Sequence, residues 1–491
     1  MFSNGYKLFK FLAATALGLG LCVISPGQAP AQARDVSETV RYSMKNHPRI
    51  KTYQEYRESS IYDIDRARSG WFPRLDARAG YGPRVYSDET TRARNHDDNW
   101  YMRTDAELVL SQTLWDGWAT QSRVDLAKER YSSADSRLFD NAEAIALDAV
   151  LAHIEVLRLS KIMALSEQNV ISHETILASQ RERVSSGASS LADVTQTQAR
   201  LARAHSSVAS YQGEFDTAIA DYIALTGVAP QDLAAVEYPA GAPLDYQETL
   251  QRVVDANPKL AALKSDARAA VAETELAKSA FHPNIYLEAG TVYKDYIDSS
   301  ESWANGATVL LRMNWNLFNG LYDYYNVKSY KALERQARSE INDQYNLLDQ
   351  EVKNTWNELV AAREQVKFYS EAVDYDIQTR DMYQQQFALG ERSLLDLLDS
   401  ENELYSSSLM LVTSKANEVG AAYRLLALEG HLIDNLQISR SSYEKQGYGD
   451  LGNIDDWTAR PVSENPREPA VPAMPPDTPA PGMETESGPM E

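Results

Sequence analysis

The chain has 491 residues, a formal net charge of −22 and a single cysteine, Cys22. An acidic balance of this size argues against nucleic acids and anionic lipid surfaces as partners bound by charge. One cysteine cannot form a disulfide within the chain, so we expect a fold without covalent cross-links.

Residues 1–33 have the order of a secretory signal peptide. Two lysines stand near the start, an apolar run extends from Phe9 to Ile24, and the small residues of Ala31-Gln32-Ala33 follow. We expect cleavage after Ala33, which also removes Cys22 and leaves a mature chain without thiol chemistry. No later segment holds the ~20 apolar residues of a transmembrane helix, so the mature chain is expected to have none.

The sequence is a duplication. SETVRYSMKNHPRI, which begins at Ser37, resembles QETLQRVVDANPKL, which begins 210 residues later at Gln247. Segments that end in LWDG and LFNG resemble each other 203 residues apart, and this register continues without a gap to Gly227 and Gly430. Each copy therefore predicts a short helix, a β-hairpin, a very long helix and a second helix.

The repeat predicts the following division of the chain. A signal peptide at 1–33 is followed by a first copy at 34–227, a linker at 228–246, a second copy at 247–436 and a tail at 437–491. The first copy contains a β-hairpin at about 74–111 and a helical hairpin at about 118–227. The second copy contains a β-hairpin at about 284–317 and a helical hairpin at about 321–430. The tail is rich in proline and acids, so it is expected to be disordered.

Two segments predict very long helices. Residues 119–186 and 321–389 contain neither glycine nor proline, and apolar residues recur in them at spacings of three and four. Helices of that length measure ~100 Å, so their apolar stripes cannot be buried inside one compact domain. We expect each to pack as a coiled coil, most simply on the helix that returns after Gly187 or Gly390.

Four other segments alternate apolar and polar residues with a period of two. RLDARAGY, from Arg74, and WYMRTDAELVL, from Trp100, follow this pattern, and the second copy repeats it between Asn284 and Trp315. Each segment has about the ~9 to 11 residues that a tilted strand needs to cross a bilayer, with aromatic residues near its ends. A half-buried soluble sheet alternates in the same way, so alternation alone leaves both interpretations open.

The number of strands constrains the membrane interpretation. Four strands cannot close a barrel, and an open edge in hydrocarbon leaves backbone groups without hydrogen bonds. Several chains would therefore have to share one barrel. Two chains would just close it and three would enclose a wider lumen, and the strands alone do not choose between these assemblies.

The turn of each helical hairpin carries acids in a repeated pattern. Ser190 precedes Asp193 by three residues, and Ser393 precedes Asp396 in the same way. Both pairs fit a capping box, which remains one of two explanations for these acids. Asp399 lies beyond the first turn, on the same face as Asp396, where a cap explains nothing. Stacked carboxylates repeated around a symmetric pore would form rings of negative charge that select cations.

Together, these features resemble the TolC-like outer-membrane efflux and type I secretion proteins. The resemblance extends over nearly the whole mature chain to about residue 436, and it rests on the duplication, the LWDG and LFNG turns, and GERSLLDLLDSENELY at the second helical turn. It implies a mainly α-helical chain with a membrane β-barrel. A homotrimer would form a twelve-stranded barrel in the lipid of the outer membrane and continue it as an α-helical tunnel through the periplasm.

The resemblance also implies a function and partners. The family is not enzymatic, and no cofactor or metal is expected. Its members are exit ducts for a periplasmic adaptor and an inner-membrane ABC or proton-driven transporter. Because GERSLLDLLD resembles secretion-type members, type I protein secretion is favoured over multidrug or small-molecule efflux. The two helical turns, at Gly187 and Gly390, are expected to contact the adaptor.

Residue roles at a gate follow from the same resemblance. Acids at the positions of Asp396 and Asp399 line a periplasmic constriction, and an arginine at the position of Arg392 helps to hold it closed. Asp193 is the matching acid of the first copy. Where the family member compared has a tyrosine, this chain has Phe387. A hydroxyl link is therefore lost, and closure is expected to depend more on Arg392.

Two other classes of protein are less consistent with the sequence. A structural coiled coil that tethers envelope layers would share the long helices, but it would have no lumen. An enzyme is not expected, because the seven histidines are scattered and His173-Glu174 lacks the second histidine of a zinc protease helix. Neither a phosphate-binding glycine loop nor a G-x-S-x-G motif occurs.

Overall fold

The structure is a computed structural model that describes residues 34–87, 89–93, 100–241, 245–295 and 303–439. The predicted signal peptide with Cys22, part of the first hairpin loop and nearly all of the predicted tail lie outside the described residues. The second of the two compact units into which the chain divides, Lys445–Glu491, lies outside them as well. Within the described ranges, no helix has both the length and the apolar character that crossing a membrane requires.

Apart from one short helix in each copy, helices and strands follow one another in the same order in both copies. The first copy contains α1 (Val36–Asn46), α2 (Pro48–Arg68), β1 (Arg74–Arg84), the short α3 (Glu89–Ala93), β2 (Tyr101–Trp115), α4 (Ala119–Ser185) and α5 (Leu191–Thr226). The second copy contains α6 (Tyr246–Ala256), α7 (Pro258–Lys278), β3 (Asn284–Asp295), β4 (Trp303–Asn314), α8 (Tyr322–Leu389), α9 (Leu394–Leu428) and α10 (Leu432–Asn435). The predicted mainly helical fold with antiparallel strands is confirmed.

Cap residues determine where several helices begin. α2 and α7 each start with a proline at their first position, Pro48 and Pro258, where a backbone N–H would have no helical partner. Before α7, the Asn257 side chain accepts the Leu260 N–H at 3.0 Å and donates to the Leu428 carbonyl at 2.9 Å. One cap residue therefore both starts α7 and fastens it to the end of α9.

Strand and long helix meet in a sharp turn with two consecutive left-handed residues. Gly117 and Trp118 precede α4 with φ values of 66° and 69°, and Gly320 and Leu321 precede α8 with 72° and 68°. A Cβ on Gly117 would lie 2.5 Å from the Cβ of His282, so no other residue fits there. A non-glycine residue in this conformation costs about 1 to 2 kcal/mol. The LWDG and LFNG segments are therefore specific turns.

The four strands form one antiparallel sheet in the order β1-β2-β3-β4. The central pair, β2 and β3, joins the two copies, for example by pairing Leu108 with Thr291. A register shift between Thr113 and Trp115 bends β2 near its end. Among the strands that the structure describes, β1 and β4 each have one edge without a neighbouring strand.

The helices of the two copies pack on each other, with α4 in the centre. α4 contacts α5, α7 and α9, while α8 contacts α7 and α9. The largest apolar cluster forms where α1, α9 and α10 meet the middle of α4, and it contains Val40, Ala146, Val150, Leu432 and Ile433, all fully buried. The long helices are therefore buried along part of their length by the other copy.

A buried histidine ties α1, α4, α5 and the linker together. His153 of α4 is fully buried, and its Nε2 lies 2.9 Å from the carbonyl of Ala234 in the linker. Its Nδ1 lies 2.8 Å from the Thr39 hydroxyl, which is 3.1 Å from the Tyr222 hydroxyl. A neutral ring suits both contacts, with Nε2–H donating to the carbonyl and Nδ1 accepting from Thr39. Burial lowers the pKa of His153.

Candidate functional site at the helical hairpin tips

Each helical hairpin reverses at a glycine with positive φ. Gly187 lies between α4 and α5 with a φ of 78°, and Gly390 lies between α8 and α9 with a φ of 80°. In both turns, the glycine and the next residue donate their N–H groups to the last helical turn at 2.8 to 3.1 Å, as in a Schellman motif. We name residues 183–200 tip 1 and residues 383–399 tip 2.

Asp193 of tip 1 completes a capping box at the start of α5. Its Oδ2 accepts hydrogen bonds from the Ser189 hydroxyl at 2.7 Å and the Ser190 N–H at 3.2 Å. Its own N–H donates to Ser190 Oγ at 3.3 Å. The hydrogen bond from Ser189 is the main cause that lowers the pKa of Asp193. These contacts are all local, which is the arrangement that capping predicts.

Asp396 of tip 2 uses the same cap but directs its carboxylate elsewhere. Its N–H donates to Ser393 Oγ at 3.2 Å, while its Oδ2 lies 3.8 Å from Nη1 of Arg392. Nε of Arg392 donates to Gln386 Oε1 at 3.1 Å, and the guanidinium lies 4.2 Å from the ring centre of Tyr383. Within one chain, Arg392 therefore contacts only its own hairpin through these groups.

Phe387 of tip 2 packs between the two hairpins. Its side chain is 8% exposed and belongs to an apolar cluster with Ile176 of α4 and with Leu394, Leu397 and Leu398 of α9. Arg183 of α4 lies over the Phe387 ring at 4.8 Å and donates to the Phe387 carbonyl at 3.2 Å. The tips are therefore joined by packing, a cation–π contact and a hydrogen bond, without a hydroxyl on this ring.

Asp399 forms an ion pair with Arg200, a residue that the sequence analysis did not select. Nη2 of Arg200 lies 3.0 Å from Oδ1 of Asp399, so the pair joins α5 of the first copy to α9 of the second. Arg200 follows Asp193 by seven residues, which places both on one face of α5. That spacing was the signal available in the sequence, but it does not identify the acid that Arg200 meets.

The surroundings of Arg200 are partly desolvated. His173 of α4 is 5% exposed, and burial lowers its pKa, with a further contribution from the charge of Arg200. Nδ1 of His173 has no hydrogen-bond partner among the described residues. Burial also raises the pKa of Glu401 on α9, against the opposing charge of Arg380. Charges close to Arg200 are therefore less screened by water than charges on an open surface.

The structure thus separates the predicted site residues into two groups. Asp193 makes its contacts inside tip 1, whereas the residues of tip 2 and two arginines of the first copy form a set of separate pairwise contacts. This set contains Phe387, Arg392, Asp396, Asp399, Arg183 and Arg200. In the described part of the chain, no cluster of histidine, cysteine or acidic side chains has the make-up of a metal site.

Comparison with protein families identifies the class of protein. The model of the family described as "Outer membrane efflux protein" matches residues 41–228 and 249–431, which are the bodies of the two copies. The chain belongs to the outer membrane efflux protein family. This confirms the resemblance drawn from the sequence. A chain of this family lies in the outer membrane and extends into the periplasm.

Curated relatives agree with the family assignment. The outer membrane efflux protein BepC of Brucella suis is 23% identical, with 75% of this chain and 82% of BepC covered. The outer membrane protein TolC of Escherichia coli is 21% identical, with 97% of both chains covered. The alkaline protease secretion protein AprF of Pseudomonas aeruginosa is 24% identical, with 79% of this chain and 83% of AprF covered.

Solved structures share the fold at low sequence identity. The outer membrane channel CmeC of Campylobacter jejuni superposes with a TM-score of 0.71 at 12% identity, covering 81% of this chain and 86% of CmeC. The fold is therefore that of outer-membrane channels, as predicted. The individual roles of the tip residues are not decided by this likeness and remain predictions.

Proposed function

We propose that the chain is the outer-membrane exit duct of a tripartite export system. Three copies form a twelve-stranded barrel and continue it as an α-helical tunnel in the periplasm. The duct receives substrate from an inner-membrane transporter and a periplasmic adaptor and conducts it passively, without a chemical step. The observation that carries this proposal is the sheet, which has one apolar face, one charged face and, among the described residues, two unpaired edges.

One face of the sheet is apolar across all four strands. The strand registers place Leu75, Leu110, Ala289 and Val309 in one row, and Leu311 lies on the same face. In the single chain, the side chains of Val309 and Leu311 are 70% and 69% exposed. Water would not favour so much exposed apolar surface, whereas the hydrocarbon of a membrane covers it.

The opposite face of the sheet carries charges. Arg312 of β4 pairs with Glu288 of β3 at 2.8 Å, and Arg78 of β1 lies 3.9 Å from Glu107 of β2. A membrane barrel has apolar residues outside and polar residues in its lumen. The two faces of this sheet therefore match the lipid side and the lumen side of a barrel wall.

The free edges of β1 and β4 support assembly from several copies. In hydrocarbon, each unpaired backbone group costs several kcal/mol, so an isolated four-stranded sheet would not be stable there. Pairing β4 of one copy with β1 of the next removes every edge once the ring closes. Three copies give twelve strands and a wider lumen than the smallest barrels of about eight strands.

Purified mature protein tests the duct directly. In detergent it should form a heat-sensitive oligomer, and cross-linking should stop at the trimer. In planar bilayers the trimer should give discrete conductance steps. A stable monomer with full sheet content would contradict the shared barrel. A trimer that does not conduct would favour the structural tether, since a tether has no lumen.

We place the gate of this duct at tip 2. Asp396 and Asp399 would form rings of carboxylates around the narrow end, and Arg392 would help to hold that end closed. The contacts of tip 2 with the first copy support this assignment, since a gate needs contacts that break when it opens. The turns at Gly187 and Gly390 are proposed to contact the adaptor, because they project beyond the last helical residues.

For the exported substrate, we propose proteins of a type I secretion system. AprF, a relative of this chain, is named as a protease secretion protein, and GERSLLDLLD of tip 2 resembles secretion-type sequences. BepC is named as an efflux protein, so efflux of drugs or other small molecules is the second candidate. Both systems would use the same kind of duct with different transporters.

A deletion strain distinguishes the two substrates. For type I secretion, mass spectrometry of the culture medium should show the loss of one or more large proteins, with unchanged susceptibility to dyes and antibiotics. Complementation with the wild-type chain should restore these proteins. An unchanged set of secreted proteins together with increased drug susceptibility would instead establish efflux.

A further inference from the structure

The ion pair between Arg200 and Asp399 joins the two helical hairpins, whereas the other ion pair at the tips lies within one hairpin. Arg200 lies on α5 of the first hairpin and Asp399 on α9 of the second, with 3.0 Å between Nη2 and Oδ1. Arg392 and Asp396 stand four residues apart at the start of one helix, with 3.8 Å between their charged atoms. Only the first pair changes when the hairpins move relative to each other.

In the structure, both carboxylates of the LLDLLD segment, Asp396 and Asp399, lie near an arginine of their own chain. The Arg200 side chain is 26% exposed, whereas the Asp399 side chain is 52% exposed. The guanidinium is therefore held against the protein while the carboxylate reaches outward to solvent. His173, buried beside Arg200 and favoured in its neutral form, adds no competing charge to this site.

Pairing each carboxylate with an arginine weakens the attraction of a carboxylate ring for cations. Three uncompensated acids around a narrow lumen attract cations and focus the field there. An arginine at hydrogen-bond distance from each acid cancels most of that field beyond a few ångströms. The contact between Arg200 and Asp399 is also a charge-assisted hydrogen bond, which is stronger than a neutral one, and it is kept while the hairpins stay in contact.

We propose that Arg200 masks the charge of Asp399 while the two tips are in contact, and that separation of the tips exposes this carboxylate to the lumen. The proposal rests on the proposed function, in which Asp399 lies at the gate. Its consequence is that ion selectivity depends on the state of the gate. The resting duct prefers cations less strongly than the open duct does.

Neutralising Arg200 should reproduce the unmasked state. In planar bilayers with a salt gradient, Arg200→Gln should raise the permeability ratio of cation over anion by roughly threefold or more. Block by hexaamminecobalt(III) from the periplasmic side should occur at a correspondingly lower concentration. The matched control is Arg203→Gln, which removes the same charge from an exposed position one turn further along α5 and should leave both values unchanged.

Two further variants connect the effect to Asp399. Adding Asp399→Asn to Arg200→Gln should abolish the increase in cation preference. Reversing the pair, with Arg200→Asp and Asp399→Arg, keeps an ion pair between α5 and α9 and should retain the wild-type ratio. This reversed pair also serves as the folding control if Arg200→Gln lowers the yield of trimer.

The results separate this inference from the proposed function. If Arg200→Gln conducts with the wild-type ratio while Asp399→Asn lowers that ratio, Asp399 is already unmasked and the inference is wrong, although the gate assignment stands. If neither change has an effect, and Asp396→Asn has none, the acids do not line the lumen. That result would overturn the assignment of the gate to tip 2 together with the inference.

Discussion

Tips 1 and 2 share one backbone geometry but use their side chains differently. In the register of the duplication, Ser189 occupies the position of Arg392, four residues before the acid in each tip. In tip 1, the Ser189 hydroxyl donates to Asp193 at 2.7 Å. In tip 2, Arg392 lies 3.8 Å from Asp396. A hydrogen bond from a hydroxyl to a carboxylate in one copy thus corresponds to an ion pair in the other.

A second difference lies one turn into the returning helix. Asp399 of tip 2 corresponds to Gln196 of tip 1, so only the second copy has two stacked acids. Asp193 has a complete structural explanation as a cap, whereas Asp399 instead pairs with an arginine of the other hairpin. Both tips share the glycine and the cap, so the additional charges of tip 2 are not needed to form the turn.

The largest effect is expected from converting tip 2 toward tip 1 with Arg392→Ser. The change removes the ion pair with Asp396 and the contact with Tyr383. In the proposed trimer, we expect it also to remove a charge that reaches carboxylates of a neighbouring helix. The resting conductance should rise, and cells should become more permeable to large antibiotics such as vancomycin. Arg392→Lys should be intermediate, because it keeps the charge but not the planar fork.

The reciprocal change is the matched control for this prediction. Ser189→Arg introduces the arginine of tip 2 into tip 1 and should leave resting conductance at the wild-type level. Trimer yield should be unaltered in both variants, because the sheet lies at the other end of the long helices. If Arg392→Ser conducts like the wild type with normal trimer yield, Arg392 is an ordinary turn residue and packing around Phe387 holds the tips.

A smaller, local effect is expected from Phe387→Ala. Removing a buried phenyl ring costs about 3 to 5 kcal/mol in a protein core, and here it also removes the surface on which Arg183 stacks. Hydrogen exchange of residues 383–399 should become faster, while the barrel end of the long helices is unaffected. Val184→Ala, the equivalent change in tip 1, should have less effect because Val184 is only half-buried. Equal exchange in the two variants would show that the tips are not joined through Phe387.

The smallest effect concerns the middle of the helices, where the copies also differ. His153 corresponds to Trp356 of the second copy, so the buried hydrogen-bond network belongs to one copy only. The pKa of His153 is lowered by burial from the ordinary value of 6.5. The unfolded chain therefore binds more protons below about pH 6.5, and the stability present above that pH falls as the pH drops.

Thermal unfolding at two pH values checks this difference. The wild type should unfold at a lower temperature at pH 5.5 than at pH 7.5. His153→Gln should reduce this drop, with the remainder due to groups such as His173, whose pKa is also lowered. His205→Gln, which changes an exposed histidine, should keep the full drop. If the unfolding temperature of His153→Gln drops as much as that of the wild type, protonation of this ring does not contribute to the pH dependence of stability.

Much of the fold could be predicted because its signals are periodic. The long helices follow from glycine-free and proline-free runs with apolar residues at three and four spacing, and the strands follow from alternation. The duplication then relates the second copy to the first. The turns with left-handed residues at Gly117-Trp118 and Gly320-Leu321 are marked in the sequence by LWDG and LFNG, although their φ values could not be read from it.

The contacts of the site were less predictable. Asp193 in its capping box and Ser393 as a cap follow from local spacing, which sequence patterns record well. Arg183 and Arg200 could not be selected, because their partners lie on the other hairpin, about 200 residues away along the chain. Such pairs depend on how two hairpins are placed side by side, and no periodicity encodes that placement.

The most direct test of the account is the ion selectivity of the purified trimer in planar bilayers when the acids of each tip are removed. Asp396→Ala combined with Asp399→Ala should lower the cation preference severalfold and weaken block by multivalent cations. Asp193→Ala should leave both at the wild-type level, since that acid serves its cap. If the double variant keeps the selectivity and block of the wild type, a cap explains Asp396 as well, and the gate is not formed by the carboxylates of tip 2.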